Sequence, residues 1–304
     1  MSSPTFMLVA GEVSGDINAT ELVQALRRDA AARGSPFPPR FFGAGGPRMA
    51  AAGVVLAFDL TRHAVIGPWE VFKNYSKLKR TFDHLLKLAI QRQPEVIILV
   101  DFSGFNLRVA AALRKHIRQR QSAFTNGNPK IVYYVSPQVW ASRPDRVIDL
   151  ARDVDLVLSI FPFEKEWYAR RAPQLPVEFV GHPMVDRYGT KEGGRQKAEG
   201  DSSTPLVLLL PGSRAKELSK HLPVMLEAAR TMQAQQAVRV RVILPNPVME
   251  QMTRQALPKD SDIEIRMGAL AVSLAEADLA IAKSGTVTLE GAFFGVPTVV
   301  MYIT

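Results

Sequence analysis

Short apolar runs alternate with longer stretches of helical periodicity along almost the whole chain. Residues 6–10, 40–44, 96–100, 131–135, 155–160 and 177–180 predict strands, and each ends in a polar or glycine-bearing turn. After the first run, Ile17, Leu22, Ala25 and Leu26 share a helix face, and 107–119 predicts a basic helix. The same beat resumes with strands at 206–210, 238–244, 263–266, 279–282 and 298–302. Strands that alternate in this way with helices are the pattern of a parallel, doubly wound sheet. Residues 188–204, YGTKEGGRQKAEGDSST, interrupt it: they are polar and aperiodic, and predict a linker or exposed loop. The expected fold class is therefore α/β, with two Rossmann-like doubly wound domains at 1–187 and 205–304. The second series stops just after a strand, short of the closing helices such a sheet domain is expected to carry.

The densest chemical signal lies at 277–302, ADLAIAKSGTVTLEGAFFGVPTVVMY. A strand leads into the turn Ser284-Gly285-Thr286, in which Ser284 is placed to cap the helix that follows. Leu289, Ala292, Phe293 and Val296 continue that helix, and Gly295 ends it. Free N–H groups at such a helix start form an anion site, with a phosphate as the natural ligand. Glu290 cannot favour a phosphate, but it can accept two hydrogen bonds from the vicinal hydroxyls of a ribose. The stretch therefore suggests a nucleoside diphosphate, although an ordinary βαβ unit with a serine cap uses the same residues. In PGSRAKEL, Gly212 and Ser213 open a second helix, with Arg214 one place on. An arginine opposes the helix dipole there and makes more sense beside a diphosphate. Met267, before Gly268, either lies against a flat base or simply ends a strand.

The first strand runs into GEVSGD. Gly15 allows close backbone approach, Asp16 can cap the next helix, and Glu12 and Asp16 sit where open α/β sheets place ligands. The spacing is not GxGxxG, so no dinucleotide fingerprint is present. The three glycines of GAGGPRM, 43–49, suggest close approach to something. DFSGFN, 101–106, ends another strand. Gly11, Ser14 and Asn106 complete the candidate substrate-contacting set.

Composition narrows the picture. The chain of 304 residues is 47% hydrophobic, long enough for roughly two domains. It has no cysteine, hence no disulfides or thiolate chemistry, and its five histidines lack zinc-ligand spacing, so no metal is expected. No signal peptide is evident, and no run approaches the ~18 apolar residues of a spanning helix. A net charge of +9 suits nucleic acid, anionic lipid or phosphorylated substrates. Without zinc-finger or aromatic RNP patterns, nucleic acid is the weakest of these. In 61–80, Val65, Ile66, Trp69, Val71 and Phe72 lie beside Lys73, Lys77, Lys79 and Arg80. Apolar anchors with a basic cluster fit a membrane-touching segment, although a core-facing helix with a solvated basic face is the commoner source of such a pattern.

Taken together, these stretches resemble the lipid-A-disaccharide synthase family. The matches are VAGEVSGD at 9–16, GAGGPRM at 43–49, FNLR at 105–108, YYVSPQVWASRPDRV at 133–147, FPFEKEWY at 161–168, FVGHPMVD at 179–186, LLLPGSR at 208–214 and SGTVTLEGAFFGVPTVVMY at 284–302. They run in order and span nearly the whole chain. The resemblance implies the GT-B architecture. It implies transfer of diacylglucosamine from its UDP derivative to diacylglucosamine 1-phosphate, giving a β-1,6-linked disaccharide and UDP with inversion. It further implies no cofactor, action at the cytoplasmic face of the anionic inner membrane, and a C-terminal tail that can exchange within a homodimer. On this reading Arg214 and Ser284, Gly285 and Thr286 hold the diphosphate, Glu290 holds the ribose, and Val65 to Phe72 meet acyl chains.

An inverting transfer needs a base for the acceptor hydroxyl and positive charge for the leaving UDP. Many members carry an Asp directly before the Phe-Asn of the third motif, and here that position is Gly104. Asp101 also matches an acidic family position and becomes the first candidate base, with Asp16 and Glu12 as alternatives. Members also continue well past residue 304. Two other readings use the same residues. One is a different two-domain UDP-sugar enzyme, such as a soluble glycosyltransferase or an epimerase. The other, motivated by Gly104 and the short end, is a non-catalytic sugar-nucleotide or membrane-surface binding protein.

Overall fold

The computed structural model describes residues 3–61, 75–119, 122–192, 204–258 and 261–303. The chain divides into two compact units, Met1–Pro183 and Met184–Thr304.

In the first unit, strands β1 (Thr5–Ala10), β2 (Arg40–Gly45), β3 (Val55–Asp59), β4 (Val96–Val100), β5 (Lys130–Tyr134), β6 (Leu156–Ser159) and β7 (Val177–Phe179) form one sheet. All its ladders are parallel, in the order β3-β2-β1-β4-β5-β6-β7. Its helices are α1 (Val13–Ala32), α2 (Pro47–Ala51), α3 (Tyr75–Arg92), α4 (Ser103–Ile117), α5 (Val139–Ser142), α6 (Arg146–Asp153) and α7 (Pro162–Ala169). Successive residues of β1 feed two cores. Met7 and Val9 pack with Leu85 of α3 and Val109 and Leu113 of α4, whereas Leu8 and Ala10 pack with Ala19 and Val23 of α1. Burial on both faces explains why β1 and β4 read as unbroken apolar runs rather than as alternation.

The second unit repeats this design. Its strands β8 (Leu206–Leu210), β9 (Arg239–Leu244), β10 (Glu264–Met267), β11 (Leu279–Lys283) and β12 (Thr298–Met301) run parallel in the order β10-β9-β8-β11-β12. Helix α8 (Pro183–Glu192) opens at the boundary, followed by α9 (Ala215–Gln235), α10 (Pro247–Ala256), α11 (Leu270–Glu276) and α12 (Thr286–Phe293). Val207 and Leu209 of β8 pack on Leu218, Leu222 and Met225 of α9, while Leu208 and Leu210 face Leu274 and Phe294.

Several expectations need correction. Helix α1 buries Gly15, Asp16, Ala19 and Val23, with Leu22 and Leu26 flanking that face, while Ala25 is exposed. Helix α4 starts at Ser103, inside the DFSGFN motif, rather than at 107. Strand β3 was not expected; it lies at the sheet edge with Val55 57% exposed, so its run lacks the signature of two-sided burial. Residues 188–192 belong to α8 rather than to a linker. The ring of Tyr188 packs 5.8 and 5.1 Å from those of Phe293 and Phe294, and that aromatic contact makes this stretch part of a fold. Residues 193–203 lie outside the described residues, as do Val65, Ile66, Trp69, Val71 and Phe72.

The glycines of GAGGPRM approach the chain itself. A Cβ on Gly43, whose φ is +149°, would lie 1.9 Å from the Leu8 carbonyl oxygen, and one on Gly45 would lie 2.1 Å from Met49 Sδ. We expect Gly43→Ala to lower stability by at least ~2 kcal/mol through overpacking and strain. At Gly104 a Cβ would meet nothing within 4 Å. Gly104→Ala, in the first turn of α4, should leave stability unchanged or raise it by up to ~1 kcal/mol. Denaturant unfolding midpoints of the two variants check the contrast.

Candidate functional site

Strand order reverses between β1 and β4 in the first sheet and between β8 and β11 in the second. Connections leaving two such neighbours diverge to opposite sides and open a crevice at their carboxyl ends, where ligands of open α/β sheets bind. Four of the predicted motifs follow these four strands: GEVSGD after β1, DFSGFN after β4, PGSR after β8 and KSGT across the end of β11.

In the first unit, Asn106 organises the crevice. Its side-chain nitrogen donates to the carbonyls of Asp101 (2.8 Å), Val100 (3.1 Å) and Val9 (3.4 Å). The residue is fully buried. This corrects the expectation that Asn106 contacts substrate: it ties β1 to the end of β4. The backbone beyond β4 is left-handed at two successive non-glycine residues, Asp101 (φ +51°) and Phe102 (φ +49°). Such residues cost roughly 1–3 kcal/mol each and persist only where the surroundings impose them. The Tyr133 hydroxyl, 2.6 Å from the Asp101 carbonyl, is a second restraint. The Phe102 ring then covers Gly11, where a Cβ would come within 2.1 Å of it. Gly11 therefore yields to Phe102, and Gly15 packs on Ala10 and Val100.

The Asp101 carboxylate accepts from the Ser14 hydroxyl at 3.4 Å. Burial raises its pKa above the ordinary carboxylate value, and hydrogen bonds from the Phe102 backbone and Ser14 pull it only part of the way back. Burial and the neighbouring Asp101 push the Tyr133 phenol well up. Arg146, at the start of α6, reaches the Ser103 hydroxyl at 3.5 Å.

Asp16 has a different task. It does not cap its own helix, whose N-cap is the partly exposed Glu12. Its buried carboxylate accepts the backbone N–H groups of Gly46 (2.9 Å), Arg48 (3.1 Å) and Met49 (3.1 Å), and so caps α2 across the sheet end. The place of a Cβ on Gly46 is taken by Asp16 Oδ2. A carboxylate engaged in this way is a structural anchor rather than a base.

In the second unit, Gly212 (φ +120°) turns the chain into α9, with Arg214 as its N-cap residue. The Ser213 N–H donates to Glu217 Oε2 at 3.0 Å. Lys283 Nζ lies 3.1 Å and Arg214 Nη1 3.6 Å from Glu217 Oε1. Gly285, not Ser284, is the N-cap residue of α12, and Ser284, Gly285 and Thr286 are exposed. Gly295 (φ +67°) follows the helix end as expected. Glu290 is buried and accepts from the Tyr188 hydroxyl at 2.7 Å. Burial and Glu290 raise the Tyr188 phenol to about 12. Met267 stands 49% exposed at the end of β10.

Sequence reasoning missed Lys283, Glu217, Tyr188 and Tyr133. Lys283 was readable, as a cation that closes an apolar strand just before a Ser-Gly-Thr turn. Tyr188 was not, because its partner lies 102 residues away. Among the described residues, no group of three or more acidic, histidine or cysteine side chains is placed to hold a metal, and no helix is long and apolar enough to cross a membrane.

Two parallel, doubly wound sheets with motif-bearing switch points define a two-domain α/β protein of the GT-B type. The calicheamicin glycosyltransferase CalG4 aligns with 98% of this chain and 79% of its own at a TM-score of 0.53 and 14% identity. The S. aureus MnaA–UDP complex aligns with 97% of this chain and 78% of its own at a TM-score of 0.61 and 13% identity. At these identities the likeness concerns the fold. The family follows from sequence: the lipid-A-disaccharide synthetase model matches residues 6–304. A lipid-A-disaccharide synthase of Geobacter sulfurreducens is 35% identical over 312 aligned residues, which cover 99% of this chain and 75% of that protein. The chain belongs to the lipid-A-disaccharide synthetase family, glycosyltransferases of lipid A biosynthesis. Membership implies a UDP-sugar donor and a lipid acceptor.

The anchoring role of Asp16 has a measurable consequence. Asp16→Ala leaves three backbone donors, two buried and one partly buried, without their charged acceptor and should cost roughly 3 kcal/mol. Urea unfolding of that variant and the parent reads the loss directly.

Proposed function

We propose that this chain transfers 2,3-diacylglucosamine from its UDP derivative to 2,3-diacylglucosamine 1-phosphate, with Asp101 as the general base. Asp101 takes the proton of the acceptor 6-hydroxyl. That oxygen bonds to the anomeric carbon from the face opposite UDP, and the bond to the diphosphate breaks with its electron pair leaving on UDP. The observation that carries this reading is a partly buried carboxyl of raised pKa, on strained backbone at the sheet's switch point. Strain and perturbed pKa values concentrate at functional sites. Tyr133 and Asn106 support it as positioning residues, since both hold the Asp101 carbonyl.

In the second unit, the Ser213 N–H, Arg214 and the Ser284-Gly285-Thr286 turn receive the diphosphate, and charge on Arg214 and the helix starts stabilises the leaving UDP. Glu290, with Tyr188 already on one oxygen, receives a ribose hydroxyl on the other. Met267 lies against the uracil. The basic surface and the segment from Val65 to Phe72 meet the acyl chains and the anionic cytoplasmic leaflet.

The test is UDP release from UDP-2,3-diacylglucosamine with and without diacylglucosamine 1-phosphate. Acceptor-dependent release of disaccharide supports the proposal. Acceptor-independent epimerisation, or UDP binding without turnover, sinks it in favour of the two other readings. Asp101→Asn should lower turnover by about 10²- to 10⁴-fold while UDP still binds. The rate should fall on acidification at a pH above the ordinary carboxylate value of 3.8, because the base must be ionised and its pKa is raised. Stability has the opposite sign. A carboxyl whose folded pKa is raised contributes stability below its unfolded pKa and loses it as pH rises through the folded value. At neutral pH Asp101→Asn should therefore melt higher than the parent, which a thermal scan at two pH values would show.

A further inference from the structure

The turn that opens α9 already holds an anion, and that anion belongs to the chain. Glu217 Oε2 takes the Ser213 N–H at 3.0 Å, and Oε1 faces Lys283 Nζ at 3.1 Å and Arg214 Nη1 at 3.6 Å. The arrangement is built for this carboxylate: a Cβ on Gly212 would lie 2.6 Å from Oε2, so a larger residue would evict it. The side chains of Glu217 and Lys283 are only 16% and 19% exposed, well shielded from solvent competition. Burial pushes the Glu217 carboxyl up, but the ammonium, the N–H and the guanidinium outweigh it and hold the group below its usual range. A backbone N–H, an ammonium and a guanidinium converging on two oxygens are the donor set that recognises a diphosphate.

We infer that Lys283 is a diphosphate-binding residue and that Glu217 is its intramolecular competitor, so that UDP takes these donors only by turning the Glu217 carboxylate out. This rests on the proposal that the second unit binds UDP. The competition sets specificity. A ligand lacking the diphosphate gains nothing by displacing Glu217, whereas a nucleoside diphosphate brings the charge to replace it.

Calorimetric titration of UDP and uridine into the full chain and its variants tests the inference. If the carboxylate holds the site nine-tenths of the time, freeing it tightens apparent affinity about tenfold. Glu217→Gln should bind UDP about tenfold more tightly and uridine unchanged. Glu227→Gln, the same change of charge on an exposed position of α9, should bind UDP as the parent does. In a Lys283→Met background the gain from Glu217→Gln should shrink, since one of the three donors that Glu217 occupies is gone while the Ser213 N–H and Arg214 remain. Equal or weaker UDP binding by Glu217→Gln overturns the inference, as does a gain that is undiminished in the Lys283→Met background. Failure of the parent to bind UDP overturns the nucleotide reading itself, a distinct outcome. If Glu217→Gln does not fold, Glu217→Asp, one methylene short of the Ser213 N–H, must tighten UDP binding in the same direction, and no change there sinks the idea.

Discussion

The first unit depends on one side-chain amide. Asn106 places its side-chain nitrogen among three carbonyl oxygens, those of Val9, Val100 and Asp101, at the point where β1 and β4 end and diverge. The position needs a neutral group with two hydrogens to give. An aspartate would set a charge against three carbonyl dipoles, and a leucine would take a hydrogen-bond donor away from all three, at a cost of a few kcal/mol. With the amide in place the backbone has little choice. Asp101 and Phe102 turn left-handed, Phe102 lies over Gly11, and the Asp101 carboxylate meets Ser14. A neutral amide thereby decides where the carboxylate of the same motif points.

The glycines show how one sequence signal serves two purposes. A glycine-rich turn after a parallel strand reads as room for a ligand. At Gly11, Gly43, Gly45 and Gly46 the room is taken by Phe102, Leu8, Met49 and Asp16. At Gly212 it is taken by a carboxylate with a phosphate's hydrogen-bonding habits. The distinction lies in what fills the space, and at Gly11, Gly43 and Gly46 that is fixed by residues thirty or more positions away.

Legibility follows the same division. The sheets could be read because strands buried on both faces are written as continuous apolar runs, and because Pro and Gly punctuate their ends. Strand β3, half-exposed at an edge, broke that rule and went unread. The motif stretches were legible, since each lies within a few residues of a strand end. Their internal assignments were less so. Asp16 looked like a local cap and proved to be a cap for a helix some thirty residues on. Tyr188 looked like loop because its aromatic partners are more than a hundred residues away. Contacts within a turn of helix leave a trace in spacing, whereas contacts across a sheet do not.

Gly104 has a consequence for how such chains evolve. It sits exposed in the first turn of α4, three residues beyond Asp101, and a Cβ there would meet nothing within 4 Å. A lineage can gain or lose an acid at such a site in a single substitution, with no repacking to compensate and no unfolded intermediate to pass through. On the proposal that Asp101 is the base, an inventory of family members keyed to an acid at 104 would pass over chains that keep Asp101 and Asn106.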